Sequence, residues 1–466
     1  MKRLLPAACL LFVALASFGQ YKPTWESIDS RPVPAWFEDA KFGIFIHWGL
    51  YSVPAFGPTA RDGVGVYDRY AEWYWRKSTD PNSPAYPIFK AFEKRAYGKD
   101  VTYQDFVDGF TCEFFRPDEW ADVFKGSGAR YVVLTSKHHE GFTLWPSAQA
   151  WNWNAVDVGP HRDLAGDLIK AVKAKGLRMG YYYSLYEWFN PLYKSNVNAY
   201  VTNHMIPQMK DLVTRYQPDV LWTDGEWDHP SDVWKSTEFL AWLYNDSPVK
   251  NDVVVNDRWG KETRSKHGGI FTTEYDLVHD ANSEGMKFTR PWEECRGIGS
   301  SFGYNRAENL DDYSTSKQLI DILVDKVARG GNLLLNIGPT ADGRIPVIMQ
   351  QRLKDMGDWL AVNGEAIYNT RAWAGAPKVD SKTKVFYTRK GNDLYVICTA
   401  WPDSPITVPG LTKTGRATPG VATMLGYKGN VTATRSGGGL RLTAPAVTPA
   451  NLPCQHAWVF KLDGVL

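Results

Sequence analysis

Cysteine is scarce: five in 466 residues, no two at a CxxC spacing, which weakens zinc-ribbon and dithiol redox readings. Cys9 falls in an N-terminal apolar run, while Cys112, Cys295, Cys398 and Cys454 are scattered in the way of thiols that simply fill a core. A Cys398–Cys454 bridge stays open. Past residue 20 no stretch reaches the ~18 uninterrupted apolar residues of a membrane span, so no membrane partner is expected. A charge excess is missing as well: 53 Lys and Arg against 51 Asp and Glu leave +2, and setting aside Lys2 and Arg3 leaves 51 − 51 = 0. Counterion release from a basic face, the main source of nucleic-acid affinity, has nothing to draw on. With 44% hydrophobic and 22% charged residues, the chain is neither disordered nor a coiled coil.

Aromatic residues are abundant. The 20 Trp and 24 Tyr supply flat amphipathic faces that suit sugar rings among other ligands. Residues 1–20 read as a signal peptide: Lys2 and Arg3 precede an apolar run from Leu4 to Ala14, and Ala14-Leu15-Ala16 forms a small-residue site. That pattern implies export, to the periplasm or beyond the cell.

At ~150 residues per domain the length gives three units, but one barrel can absorb more than half of such a chain. Eight β-branched or aromatic runs stand out, at 41–47, 130–136, 177–184, 219–223, 252–256, 270–274, 287–293 and 332–337. Helical spacing of Leu164, Leu168, Ile169 and Val172, and of Leu319, Ile320, Leu323 and Val327, sets helices over 162–175 and 316–328. Eight strands alternating with helices predict an α/β fold, a distorted (β/α)8 barrel whose crossovers turn irregular between 252 and 293. The texture then changes to short strands with Gly- and Pro-rich turns, such as Lys390-Gly391-Asn392-Asp393, which predict a C-terminal all-β sandwich. The expected organisation is a signal peptide at 1–20, a barrel domain at 21–367 and a sandwich at 368–466.

In such a barrel, reactive groups gather where strands end. The exits are polar and aromatic: Ile46-His47-Trp48, Lys137-His138-His139-Glu140, Tyr182-Tyr183-Ser184, Trp222-Thr223-Asp224-Gly225-Glu226, Asn256-Asp257-Arg258-Trp259, Thr273-Glu274-Tyr275 and Trp292-Glu293-Glu294. One such residue alone would be a satisfied hydrogen-bonding group, but so many together point to a site, because unmet polar groups are costly. Three histidines near acids raise the question of a metal. Yet His138 and His139 are adjacent, which in an extended strand turns them to opposite faces, and HxH and HExxH spacings are missing, so no metal is expected. Glycoside hydrolysis, which needs two carboxyls around one bond, fits better. Asp224, Glu274, Glu226, Glu293 and Glu72 are the available acids.

Six motifs sharpen this. Phe42-Gly43-Ile44-Phe45-Ile46-His47-Trp48-Gly49, His138-His139-Glu140-Gly141-Phe142, Trp222-Thr223-Asp224-Gly225 and Asn256-Asp257-Arg258-Trp259-Gly260 occur in order, followed by Gly299-Ser300-Ser301-Phe302-Gly303-Tyr304-Asn305 and Gly330-Gly331-Asn332-Leu333-Leu334-Leu335-Asn336. The set resembles glycoside hydrolase family 29, the α-L-fucosidases, over nearly the whole chain after residue 36. The resemblance implies a retaining exo-enzyme acting on terminal α-L-fucose of glycans or glycoconjugates, with no cofactor. It implies Asp224 as nucleophile and Glu274 as acid/base, with Glu293 the alternative. His47, His138, His139 and Tyr182 match positions that contact sugar hydroxyls, and Glu72, Trp73, Trp222 and Arg258 match others around the ring. Trp292 and Phe288 are the expected seats for the C5 methyl. A retaining glycosidase for a related sugar such as galactose and a non-catalytic fucose-binding protein are the competing readings. Linkage and aglycone depend on loops such as 51–68 and 188–198, which carry no readable pattern, and oligomeric state has no signature either.

Overall fold

The computed structural model describes residues 20–275, 289–377, 384–411, 422–429, 431–436 and 439–466. The signal-peptide reading of residues 1–20 and the proposed methyl seat Phe288 lie outside them, apart from Gln20. Eight parallel strands form one curled sheet: β1 (Phe42–Ile46), β2 (Tyr131–Lys137), β3 (Arg178–Ser184), β4 (Val220–Asp224), β5 (Val254–Val255), β6 (Phe271–Glu274), β7 (Trp292–Gly297) and β8 (Asn332–Ile337). Their order is β5-β4-β3-β2-β1-β8-β7-β6, so β1 pairs with β8 and the sheet wraps round. At its edges Ile270 N donates to Val255 O at 2.9 Å. That approach needs Gly269, where a Cβ would stand 2.0 Å from Val255 O. No α-helix intervenes between β5 and β6, which is the irregularity the short crossover predicts.

Alternation along each strand sorts side chains into two layers. Phe45, Tyr131, Val133, Tyr182, Val220, Trp222, Cys295 and Leu334 fill the barrel. Ile44, Ile46, Tyr181, Tyr183, Leu221, Leu333 and Leu335 face the helices. The helix Leu164–Ala174 buries Leu164, Leu168, Ile169 and Val172, with Asp163 capping its start by accepting from Gly166 N. Ser316–Ala328 begins with a capping box between Thr315 and Gln318.

The second unit holds strands β9 (Arg371–Ala372), β10 (Val385–Lys390), β11 (Asp393–Cys398), β12 (Ile406–Pro409), β13 (Ala422–Met424), β14 (Thr432–Ser436), β15 (Gly439–Thr443) and β16 (Trp458–Leu462). They form two antiparallel sheets, β13-β16-β11-β10-β9 and β12-β15-β14. Strand β11 is buried on both faces. Leu394, Val396 and Cys398 enter the core between the sheets, while Tyr395 and Ile397 pack into the barrel's helical layer. Trp359 Nε1 donates across this junction to Ala457 O at 2.9 Å. The four described cysteines are free, so Cys398 and Cys454 form no bridge; Cys454 Sγ instead donates to Ala457 O.

Candidate active site

The two expected carboxyls stand at strand ends over the barrel. Asp224 closes β4, and Gly225 behind it has φ 75° with room for no Cβ, which would lie 2.5 Å from that of Tyr186. Asp224 caps no helix, since the next one begins at Ser236. Glu274 closes β6. Arg258 joins the two: Nη1 donates to Asp224 Oδ1 at 2.7 Å and Nη2 to Glu274 Oε2 at 3.3 Å. One planar guanidinium therefore sets both carboxyls around a single point. The Asn256-Asp257-Arg258-Trp259 motif is the frame for this. Asn256 Nδ2 donates to Thr223 O at 2.7 Å, Asp257 Oδ1 accepts from Thr272 Oγ1 at 2.7 Å, and Thr272 Oγ1 accepts from Arg258 Nε at 3.1 Å.

Asp224 Oδ2 accepts from Tyr182 OH at 3.0 Å. Burial opposes its charge, but the guanidinium groups of Arg258 and Arg264 outweigh burial and hold the carboxyl well below the usual range. It is thus an ionised carboxylate at neutral pH. Burial and the neighbouring His138 push His47 down to about 3, so it is neutral. Its Nδ1 lies 2.7 Å from Asn336 Oδ1, and Asn336 Nδ2 donates to Phe302 O. A carbonyl oxygen only accepts, so Nδ1 carries the proton and Nε2 is an acceptor. His139 follows the same logic. Ser184 Oγ donates to Tyr186 O and accepts from His139 Nδ1 at 2.6 Å. Burial, ahead of His138, keeps this ring neutral too, leaving Nε2 3.9 Å from Asp224 Oδ2.

His138 and His139 both reach the mouth, which corrects the opposite-faces expectation. Strand β2 has a register shift between Thr135 and Lys137 and ends there, so the alternation that would separate the rings is already broken. The bulge also turns Lys137 away from the barrel interior, where its buried Nζ donates to Glu187 Oε2 at 2.5 Å and Tyr200 OH at 3.2 Å. Lys137→Met leaves the Glu187 charge buried without its main partner. We expect a loss of about 3–5 kcal/mol in thermal unfolding, mostly recovered in the Lys137→Met/Glu187→Leu pair.

An inner recess is lined by His47, Glu72, Trp73, His138, Tyr182, Trp222, Asp224, Arg258 and Glu274. Its apolar floor is Phe45, Cys295 and Phe302. Glu72 is anchored by Gly303 N at 2.8 Å and Ser301 Oγ at 3.2 Å. Outside the recess opens a cavity of about 570 Å³ that shares Tyr70, Trp73, Asp224, Arg258 and Glu274 with it. Among the described residues no cluster of His, Cys, Asp and Glu converges to hold a metal ion.

A family model for α-L-fucosidase matches residues 10–365, and one for the α-L-fucosidase C-terminal domain matches residues 379–463. Tissue α-L-fucosidase of Bos taurus is 45% identical over 96% of this chain and 92% of its own. The α-L-fucosidase of Branchiostoma floridae is 44% identical over 96% of each chain. A crystal structure of Thermotoga maritima α-fucosidase with a mechanism-based inhibitor superposes with a TM-score of 0.78 at 36% identity, covering 95% of this chain and 99% of that one. The chain belongs to the α-L-fucosidase family.

Two expectations for this fucosidase site need correction. Trp292 and Glu293 were placed at a strand exit, but β7 runs on to Gly297, so both stand at the strand's beginning. Trp292 lies on the far side of β7, against Gly331, and lines neither recess nor cavity. Glu293 points into the barrel beneath the site, accepting from Tyr131 OH and from Trp222 Nε1. Burial raises it to about 7, against ~4.3 in an unfolded chain. Between those values the folded chain holds the proton more tightly, so this stability is full below ~4.3 and fades as pH rises through about 7. Glu293→Gln should flatten the decline in unfolding midpoint between about pH 5 and about pH 8, worth roughly 3 kcal/mol. An unchanged slope would show that Glu293 carries none of it.

Three contributors were missed. Tyr70 OH donates to Glu274 Oε1 at 2.9 Å, Phe302 packs on His47 at 4.8 Å between centroids, and Arg264 stands 3.6 Å from Asp224 Oδ1. Only Phe302 had a signal, as the aromatic residue inside the Gly299–Asn305 motif.

Proposed function

We propose that this protein is a retaining exo-α-L-fucosidase in which Asp224 is the nucleophile and Glu274 the acid/base. The observation that carries the reading is Arg258, hydrogen-bonded to both carboxyls at the top of a recess with an apolar floor. A recess closed at its inner end takes a terminal sugar, hence exo action. His47 and His139 present Nε2 acceptors to hydroxyls, while Phe302, Phe45 and Cys295 form an apolar patch suited to a 6-deoxy sugar's methyl.

In the first step Asp224 attacks the anomeric carbon and the bond to the leaving oxygen breaks, that oxygen taking the proton of Glu274. In the second, Glu274 removes a proton from water, whose oxygen attacks the same carbon and expels Asp224. Two inversions give retention. Residues 1–20 carry the export signal in this reading, and no described helix is long and apolar enough to cross a membrane.

The galactose alternative adds one hydroxyl where the methyl sits. An apolar seat rejects such a group by about 10²-fold. Rates on an aryl α-L-fucoside and an aryl α-L-galactoside, measured side by side, should differ by at least that much. Equal rates would favour the related-sugar reading, and inactivity on both the binding protein.

A further inference from the structure

The inner recess is the seat proposed for the fucose, and the cavity outside it, at about 570 Å³, is the size that holds a drug-sized ligand. It opens from the two carboxyls, so it lies on the leaving-group side of the bond that they cut. Its wall contains Trp227, 36% exposed and lying nearly parallel to Trp73 at 6.2 Å between centroids. Trp73 itself lines the recess. An indole exposed at this position offers a face to a ring that follows the fucose.

The charges on the lining are equal in number but not in pairing. Four cationic side chains, Lys77, Arg258, Lys261 and Arg264, stand with four acidic ones, Asp68, Asp224, Glu226 and Glu274. Arg258 is held by Asp224, and Arg264 Nε by Glu226 Oε1 at 2.5 Å. Lys77 is buried, donates to Tyr67 O and has Asp68 nearby. Lys261 is different. It is exposed, its backbone N–H is tied to His229 O at 3.1 Å, and no described acid pairs with it.

We infer that this cavity is a leaving-group subsite for an acidic sugar, its ring lying on Trp227 and its anionic substituent met by Lys261. The inference rests on the fucosidase reading and adds the chemical class of the aglycone. A sulfate ester and a uronic carboxylate would both present the required charge.

The test compares four substrates: α-L-fucosyl fluoride, a fucosyl-N-acetylglucosamine, its sulfated form and a fucosyl-glucuronate. The fluoride is too small to reach Trp227 or Lys261, so its hydrolysis reads the reacting carboxyls alone. Inactivity on it would defeat the fucosidase reading itself. Given activity there, we expect kcat/KM for the anionic disaccharides to exceed the neutral one by about three- to five-fold, the scale of a solvent-exposed charge pair. The arm that gains more identifies sulfate or carboxylate as the source. The preference should shrink as salt is raised, vanish in Lys261→Ala and reverse in Lys261→Glu, with fluoride hydrolysis unchanged in both. Trp227→Ala should raise KM for all three disaccharides. No anion preference in the wild type, or one that survives Lys261→Ala, would overturn the inference while leaving the fucosidase reading intact.

Discussion

Asp224→Ala is expected to lower turnover of an aryl α-L-fucoside by about 10⁴–10⁶-fold, the scale seen when a covalent nucleophile is removed. The cause is specific to the covalent step. Arg258, Tyr182 and His138 would still line the recess, so the sugar would still bind, but nothing would attack its anomeric carbon. Azide should enter the space left by the carboxylate and form a fucosyl azide of inverted configuration. Fold loss is not the expected explanation for inactivity, because Arg258 keeps Glu274 as a partner, and the unfolding midpoint should confirm that. Near-wild-type turnover, or azide rescue with retained configuration, would remove Asp224 from the nucleophile's role.

The sequence was most legible where pattern and burial agree. Asn332–Ile337 and Ser316–Ala328 are observed with their expected bounds, since Leu333 and Leu335 face outward onto the apolar face of that helix. The strand-end positions of Asp224 and Glu274 were legible from the polar, aromatic barrel exits, while the choice of these two among five acids came from the family resemblance. Strand β7 was not, because Trp292-Glu293-Glu294-Cys295-Arg296-Gly297 reads as polar. Its buried acids are satisfied largely by partners on other strands: Tyr131 and Trp222 for Glu293, and Thr273 for Glu294, which Arg296 on the same strand also meets. Tyr70 was illegible for another reason. It lies between the short 3₁₀ turns Val66–Arg69 and Ala71–Trp73, and single turns have no period to read.

The contrast between Glu274 and Glu293 favours Glu274 as the acid that moves a proton to substrate in the proposed mechanism. Glu293 is sealed beneath Trp222, with its oxygens taken up by Tyr131 and Trp222, and it lines neither recess nor cavity. Glu274 lines both, held by Tyr70 and Arg258. Glu274→Ala is therefore expected to cut kcat/KM by about 10²–10⁴-fold on a fucosyl disaccharide, whose leaving oxygen needs a proton. The loss should be much smaller on α-L-fucosyl fluoride, whose leaving group needs less help, and the limb of the pH–rate profile that reports the acid should disappear. Azide should then attack the fucosyl-enzyme and give the retained azide, opposite to the product from Asp224→Ala. A uniform loss on both substrates would mean that Glu274 supports the sugar without transferring a proton. Glu293 could inherit the role only if its own alanine variant lost the same pH limb, and its burial under Trp222 predicts that it will not.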